Sequence, residues 1–302
     1  MSGFAELDPL ALAQVSALNI PLYVEYALDR PSWSDWWRFD AGDDHAHGLY
    51  ASTGLTWGPL GFSGEWKDYH SMLLGVNDPP SLVREQSYTL LNRTTHQLNA
   101  RDERGYQFEG TWRQDGIGDL TLNRSHGEGR LVASQPARRF DERFAELHVA
   151  RGLRQWLDAT LFADLARDLF VGTERRETYG GSARVPAPRG TNAELDFERQ
   201  SSSVSGAAFT DHAASVTLRH PKWGSAGVTF QRSTDPVEAR PGDTSTAPRR
   251  TWWGGTIGTT IAQRYEASLF MGQRRQGLAC TAGTCYVVEA LEGVAFRLLA
   301  RF

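Results

Sequence analysis

Ionisable residues recur at every second position through much of this chain, a spacing that puts charge along one face of an extended strand. Glu65 and Lys67, then Glu109, Glu146, the run Glu194, Asp196 and Glu198, and finally Arg297 occupy such positions. So do Glu25, Asp29, Arg113, His148, Asp158, Asp164, Arg219, Glu266, Glu289 and Arg301. Acids outnumber bases roughly two to one in this set, so a water-filled wall built from it favours cations. An ion-pair network bracing a closed, non-conducting interior is the competing reading of the same residues. Three further charges, Arg84, Glu85 and Arg93, lie in the longest stretch without alternation, residues 72–103. Leu82, Val83, Leu90 and Leu91 argue against disorder there, and Pro80-Ser81 followed by Glu85 reads as the start of a helical turn. Folded inward, this segment would constrict a lumen with Arg84, Glu85 and Arg93; folded outward, it is an ordered cap.

Other chemistry is thinly represented. There is no Gly-x-Ser-x-Gly elbow, no His-Glu-x-x-His pair and no phosphate loop, so neither an enzyme nor a cofactor is expected. Asp43, His45 and His47 have metal-ligating types, but two histidines two apart in a Gly/Asp loop usually face solvent, and no metal site is assigned. Trp33-Ser34-Asp35-Trp36-Trp37-Arg38-Phe39-Asp40 sets aromatics beside carboxylates, as a ligand-gripping loop or, more commonly, as packed rim structure. Cys280 and Cys285 lack a second pair for a metal and read as a small disulfide loop, with free thiols as the alternative.

The elements that must position these residues are strands. Fourteen segments alternate: Ile20–Asp29, His47–Trp57, Leu60–His70, Gly105–Arg113, Asp119–His126, Arg143–Gly152 and Trp156–Arg167 in the first half, and seven more in the second. Those are Glu174–Val185, the least regular, then Asn192–Gln200, His212–His220, Gly224–Arg232, Thr251–Ile261, Arg264–Arg275 and Tyr286–Phe302. Their length of ~9–11 residues is what a tilted strand needs to cross a bilayer. Every second connection is short, as at Gly58-Pro59, Gln114-Asp115-Gly116 and Pro221-Lys222-Trp223, and the others are expected to run to about 8–32 residues. Trp57, Trp112, Trp156 and Trp223 fall at the short-turn end, and Trp252 and Trp253 at the other, as two interfacial girdles would. An even strand count with every backbone group paired requires closure, with Ile20–Asp29 beside Tyr286–Phe302.

The chain ends on Val294-Ala295-Phe296-Arg297-Leu298-Leu299-Ala300-Arg301-Phe302, apolar at alternate positions up to a terminal aromatic ring. This resembles the C-terminal signature of bacterial outer-membrane β-barrels, in which the segment is the closing strand and the recognition signal for the insertion machinery. Asn77-Asp78-Pro79-Pro80-Ser81-Leu82-Val83-Arg84-Glu85, Tyr88-Thr89-Leu90-Leu91-Asn92-Arg93 and Gly277-Leu278-Ala279-Cys280 through Phe302 resemble an uncharacterised bacterial family of envelope proteins. The resemblance implies that this is the C-terminal portion of a longer chain in the outer membrane; it transfers no functional residue.

Composition agrees. No apolar run is long enough for a membrane helix, and a mean hydropathy of −0.45 is what a barrel with one polar face gives. Glycine (30), Trp (10), Tyr (9) and Phe (14) are plentiful, as strands and turns require. A net charge of −4 gives no reason to expect nucleic acid. The N-terminus, Met1-Ser2-Gly3-Phe4-Ala5-Glu6, lacks the basic and apolar regions of a signal peptide, so residues 1–19 are expected to be an extension or remnant. The expectation is therefore an all-β, antiparallel up-and-down transmembrane barrel over residues 20–302. Its partners are outer-membrane lipid, the insertion machinery through Phe302, and small solutes or ions. It is a porin-like channel or passive transporter, with a non-conducting structural or ligand-binding barrel occluded by residues 72–103 as the alternative. A soluble β-protein stands third, marked by polar residues on the outward face.

Overall fold

The computed structural model describes residues 2–7, 20–29, 46–70, 82, 84, 86–96, 102–130, 136–150, 158–236, 250–261, 264–281 and 284–300. The side chains of 2–7, 28–29 and 278–286 lie outside that description, as do Trp33–Asp40, Asp43, His45, Glu85, Trp156, Arg301 and Phe302.

The strands run β1 (Ser2–Leu7), β2 (Leu22–Asp29), β3 (Ala46–Trp57), β4 (Leu60–His70), β5 (Glu103–Gln114), β6 (Gly118–Gly129), β7 (Arg138–Ala150) and β8 (Asp158–Asp168). They continue as β9 (Thr173–Ala187), β10 (Thr191–Val204), β11 (Ala207–His220), β12 (Gly224–Ser233), β13 (Arg250–Ile261) and β14 (Tyr265–Arg274). A small hairpin, β15 (Gly277–Thr281) and β16 (Thr284–Val288), precedes β17 (Leu291–Ala300). One short helix, α1 (Thr89–Arg93), lies between β4 and β5. All strands except the hairpin form one 15-stranded antiparallel sheet in chain order, β1 to β14 and then β17. The short β1 apart, the fourteen long strands match the fourteen alternating segments one for one.

Alternation decides the two faces. Across six strands, Ala193, Leu218, Ala226, Ile257, Leu269 and Phe296 stand directly opposite one another in an unbroken apolar row. This row is exposed, with Phe296 at 67% and Ile257 at 63%. The interleaved positions are polar and much more buried: Lys67, Glu142, Asp164, Arg176 and Glu198 are each under 5% exposed. The sheet also curls. Residues 84–94 touch strands from β5 to β12, which a flat sheet with ~4.8 Å between strands would hold about 34 Å apart.

Four expectations are corrected. The sheet is not closed: β2 pairs with β1, and β17 has no second neighbour among the described residues. The short strand Ser2–Leu7 supplies the partner that the last strand was expected to be. The long connections are not uniformly long, because β8 to β11 extend past the apolar span and leave only 169–172 and 205–206 at that end. Accordingly Glu174–Val185, the least regular candidate, belongs to the longest strand, with 15 residues. The final segment Tyr286–Phe302 is divided, its start pairing back in the β15–β16 hairpin. Finally, Trp252 and Trp253, being consecutive, point to opposite faces; Trp253 is outward and 60% exposed, whereas Trp252 is buried inward, against the guanidinium groups of Arg250 and Arg275.

The β10–β11 turn explains how two residues suffice. Ser205 and Gly206 both hold positive φ, 50° and 82°, the arrangement of a hairpin turn whose twist matches its strands and which prefers Asn-Gly. Ser205→Asn is expected to raise the unfolding midpoint slightly, while Gly206→Val should cost about 1 kcal/mol or more. Denaturant titration of the two variants checks this, and a neutral Gly206→Val would refute the turn assignment.

Candidate functional site

The inward wall carries one non-strand occupant, the segment around α1. Its backbone cannot pair into the sheet, so its buried amides need other acceptors. Glu198 on β10 provides them: Thr89 N–H and Leu90 N–H each donate to its carboxylate, both at 2.7 Å. Leu91, fully buried, packs with Phe144 and Phe162, and the Tyr88 ring stacks on Phe162 at 3.6 Å between centroids. Phe162 in turn lies over Gly180, where a Cβ would come within 2.6 Å of its ring, so the glycine makes room for the stack. Tyr88 Oη donates to Glu146 at 2.7 Å. Burial, reinforced by that hydrogen bond to Glu146, pushes the Tyr88 phenol up, so it stays a neutral donor.

Charge completes the seating. Arg84 lies 3.5 Å from Glu109 and 4.0 Å from Glu146, with its guanidinium over the Phe144 ring. Arg93 donates to Gln231 on β12, and its stem packs against Gly277 at the start of β15. Arg176 bridges Glu142 at 2.6 Å and Asp164 at 3.1 Å while donating to Thr94 O at 2.5 Å. At the far end of the segment, His96 is paired with Asp168 at 2.8 Å and stacked on Phe140. Among the described residues no hydroxyl or thiol shares a hydrogen bond with His96. No group of three metal-ligating side chains converges among the described residues.

Below the segment a cavity of about 470 Å³ remains, lined by Tyr88, Glu146, Glu194, Asp196, Glu198 and Gln231 with serine, threonine and glycine. Glu194 faces Arg219 at 3.0 Å, and Asp196 accepts from Ser215 at 2.6 Å. With Glu146, Glu194, Asp196 and Glu198 in its lining, the cavity has a mostly negative fixed charge, which favours cations over anions.

Of the residues expected to line the interior, Arg84, Glu109, Glu146 and Glu198 meet at the segment, and Glu194 and Asp196 share its cavity. Arg93 belongs to the segment too, but its partner is a glutamine. Glu65 accepts from Tyr50, and Lys67 pairs with Glu103 at 3.3 Å, further round the wall on β4. Arg297 lies by the open edge in a separate cavity with Arg219 and Glu266. The described helix covers Thr89–Arg93, and the turn expected from Pro80-Ser81 lies outside the described residues. Tyr88, Glu142, Arg176, His96, Asp168 and Gln200, which donates to Thr94 Oγ1 at 3.2 Å, were missed; strand parity could have found Glu142, Arg176, Gln200 and Asp168, but nothing local marks Tyr88 and His96. Trp57 and Trp223 are exposed at the short-turn end, where the girdle was expected, and Trp112 lies on the outward face beside the β5–β6 turn. Cys280 stands directly opposite Cys285 in the β15–β16 register, which allows the expected pairing without reporting on it.

Two outcomes test the seating. Glu198→Ala leaves two buried amides without an acceptor, so exchange of the Thr89 and Leu90 amides should accelerate roughly 10- to 100-fold; hydrogen exchange unchanged there would refute the cap. Arg176→Met strands two buried carboxylates and should cost about 3–5 kcal/mol, recovered largely by adding Glu142→Gln and Asp164→Asn. Unfolding free energies of the single and triple variants decide it.

No protein-family model, curated protein or solved structure matches the chain, so the site's geometry carries the functional reading alone.

Proposed function

We propose that the chain is an outer-membrane β-barrel acting as a porin-like channel or passive transporter. Its lumen is narrowed by the inward segment 82–96 and its net acidic wall prefers small cations. The observation that carries the reading is the inverted distribution of polarity. Large apolar side chains fill the exposed face in continuous rows, while ionised groups are buried on the other. Water-soluble folds put these the other way round, whereas lipid outside and water inside require this arrangement. The apolar outward face therefore weighs against a soluble β-protein. On the same reading Cys280 and Cys285 are joined in an oxidising compartment.

One observation favours the alternative of a non-conducting barrel. The segment is anchored by a small apolar core of Leu91 with Phe144, Phe162 and Tyr88, and Leu90 beside it is also almost wholly buried, so it is seated rather than loosely hung in the lumen. Both readings are separated by planar-bilayer recording of the full chain beside a variant with residues 82–96 replaced by a Gly/Ser linker. Channel function gives discrete openings in the unaltered protein, with a reversal potential shifted toward the cation equilibrium potential, and Glu146→Gln/Glu198→Gln weakens that selectivity. Openings only in the linker variant support the occluded barrel. Silence from both, with the proteins correctly folded in lipid, refutes the channel.

A further inference from the structure

The outward face is apolar only up to a sharp boundary. On β6, β7, β8, β10 and β12, the position two residues beyond the apolar run toward the 169–172 and 205–206 turns is arginine. Leu122 gives way to Arg124, Ala145 to Arg143, Leu165 to Arg167, Phe197 to Arg199 and Phe230 to Arg232. On β11 the same level holds His212. The register sets two groups of them side by side: Arg124 is directly opposite Arg143, and Arg199, His212 and Arg232 form one continuous row over three strands, while Arg167 stands opposite Asp141. Like charges directly opposed on a sheet repel and destabilise it unless an anion lies between them.

Few carboxylates answer this charge from the same face. Asp141 is engaged by Arg124 at 3.3 Å and by His126 at 2.9 Å, and Glu177 is held by Arg175. Among the described residues Arg143, Arg167, Arg199 and Arg232 have no ion-pair partner. Arg143, Arg167 and Arg199 are exposed and Arg232 is half-buried. No arginine or lysine stands on the outward face of β6 to β12 at the opposite end of the apolar rows among the described residues, so the belt is one-sided.

We infer that this belt binds the phosphate groups of anionic lipid headgroups in the leaflet at the 169–172 and 205–206 end. The inference rests on the membrane reading of the apolar rows. An apolar surface that stops at a row of unanswered guanidinium groups is complementary to a lipid whose acyl chains end at a phosphate. Guanidinium donors match phosphate oxygens in pairs, and each basic residue near an anionic leaflet gains attraction.

Tryptophan fluorescence in vesicles tests it, because Trp253 is directly opposite Phe230, one row from Arg232. The full chain is reconstituted in mixtures of phosphatidylcholine and phosphatidylglycerol, with the bromine quencher carried on one lipid or the other. The expected result is stronger quenching by brominated phosphatidylglycerol, a preference that falls about fivefold for each arginine removed and is lost in Arg143→Gln/Arg167→Gln/Arg199→Gln/Arg232→Gln. Arg199→Lys/Arg232→Lys, which keeps the charge, should retain most of it. Quenching by both lipids without preference, or a preference unchanged in the four-fold variant, overturns the belt and leaves the membrane reading intact. Loss of the preference on adding inorganic phosphate at constant ionic strength assigns the site to the free anion and overturns the lipid assignment. No quenching by either lipid overturns the membrane reading and the belt with it.

Discussion

One constraint organises this molecule: a strand has two faces, and along the apolar span period-2 alternation gives most large apolar side chains to one and most charges to the other. Once the apolar rows face outward, the charges have only the concave wall, and charges crowded on a wall must find partners there. The 82–96 segment supplies many of them. It brings two buried amides to Glu198, a phenol to Glu146 and a guanidinium between Glu109 and Glu146. Thr94 gives a carbonyl to Arg176, which already balances Glu142 and Asp164. The segment and the wall therefore complete each other, and removing either leaves buried polar groups without partners.

That economy also explains the segment's mixed composition. Leu91 and Tyr88 pack against Phe144 and Phe162, and that apolar burial offsets part of the cost of burying the carboxylates around them. A loop of such length with no core of its own would have to be held by hydrogen bonds alone.

The sheet was readable from alternation because a one-residue slip would move every apolar residue to the wrong face. All fourteen segments, including the inward placement of Glu65, Glu109, Glu146 and Glu198, follow from that one rule. Reading failed where the rule does not apply. Strand ends beyond the apolar span carry polar residues on both faces, so β9 to β11 looked shorter than they are and their turns longer. Trp252 was grouped with Trp253 by residue type although parity separates them. The partners of the segment, Glu198 for Leu90 and Gln231 for Arg93, lie more than a hundred residues away in sequence, and no local pattern announces contacts of that kind. The edge choice of β2 was illegible for a different reason: any strand with free amides will serve an open edge, so pairing rules alone do not choose between Ser2–Leu7 and Leu291–Ala300.

Those distant contacts set an order of events as well as a geometry. The sheet is built from neighbours in sequence, hairpin by hairpin, and each pairing closes only a short loop. The segment, by contrast, needs β5, β7, β10 and β12 already side by side before Arg84, Tyr88, Leu90 and Arg93 have anything to bind. Among the described residues its docking closes larger loops than any strand pairing does, so it follows formation of the wall it binds. The wall thus assembles first and acquires the segment that lies against it last.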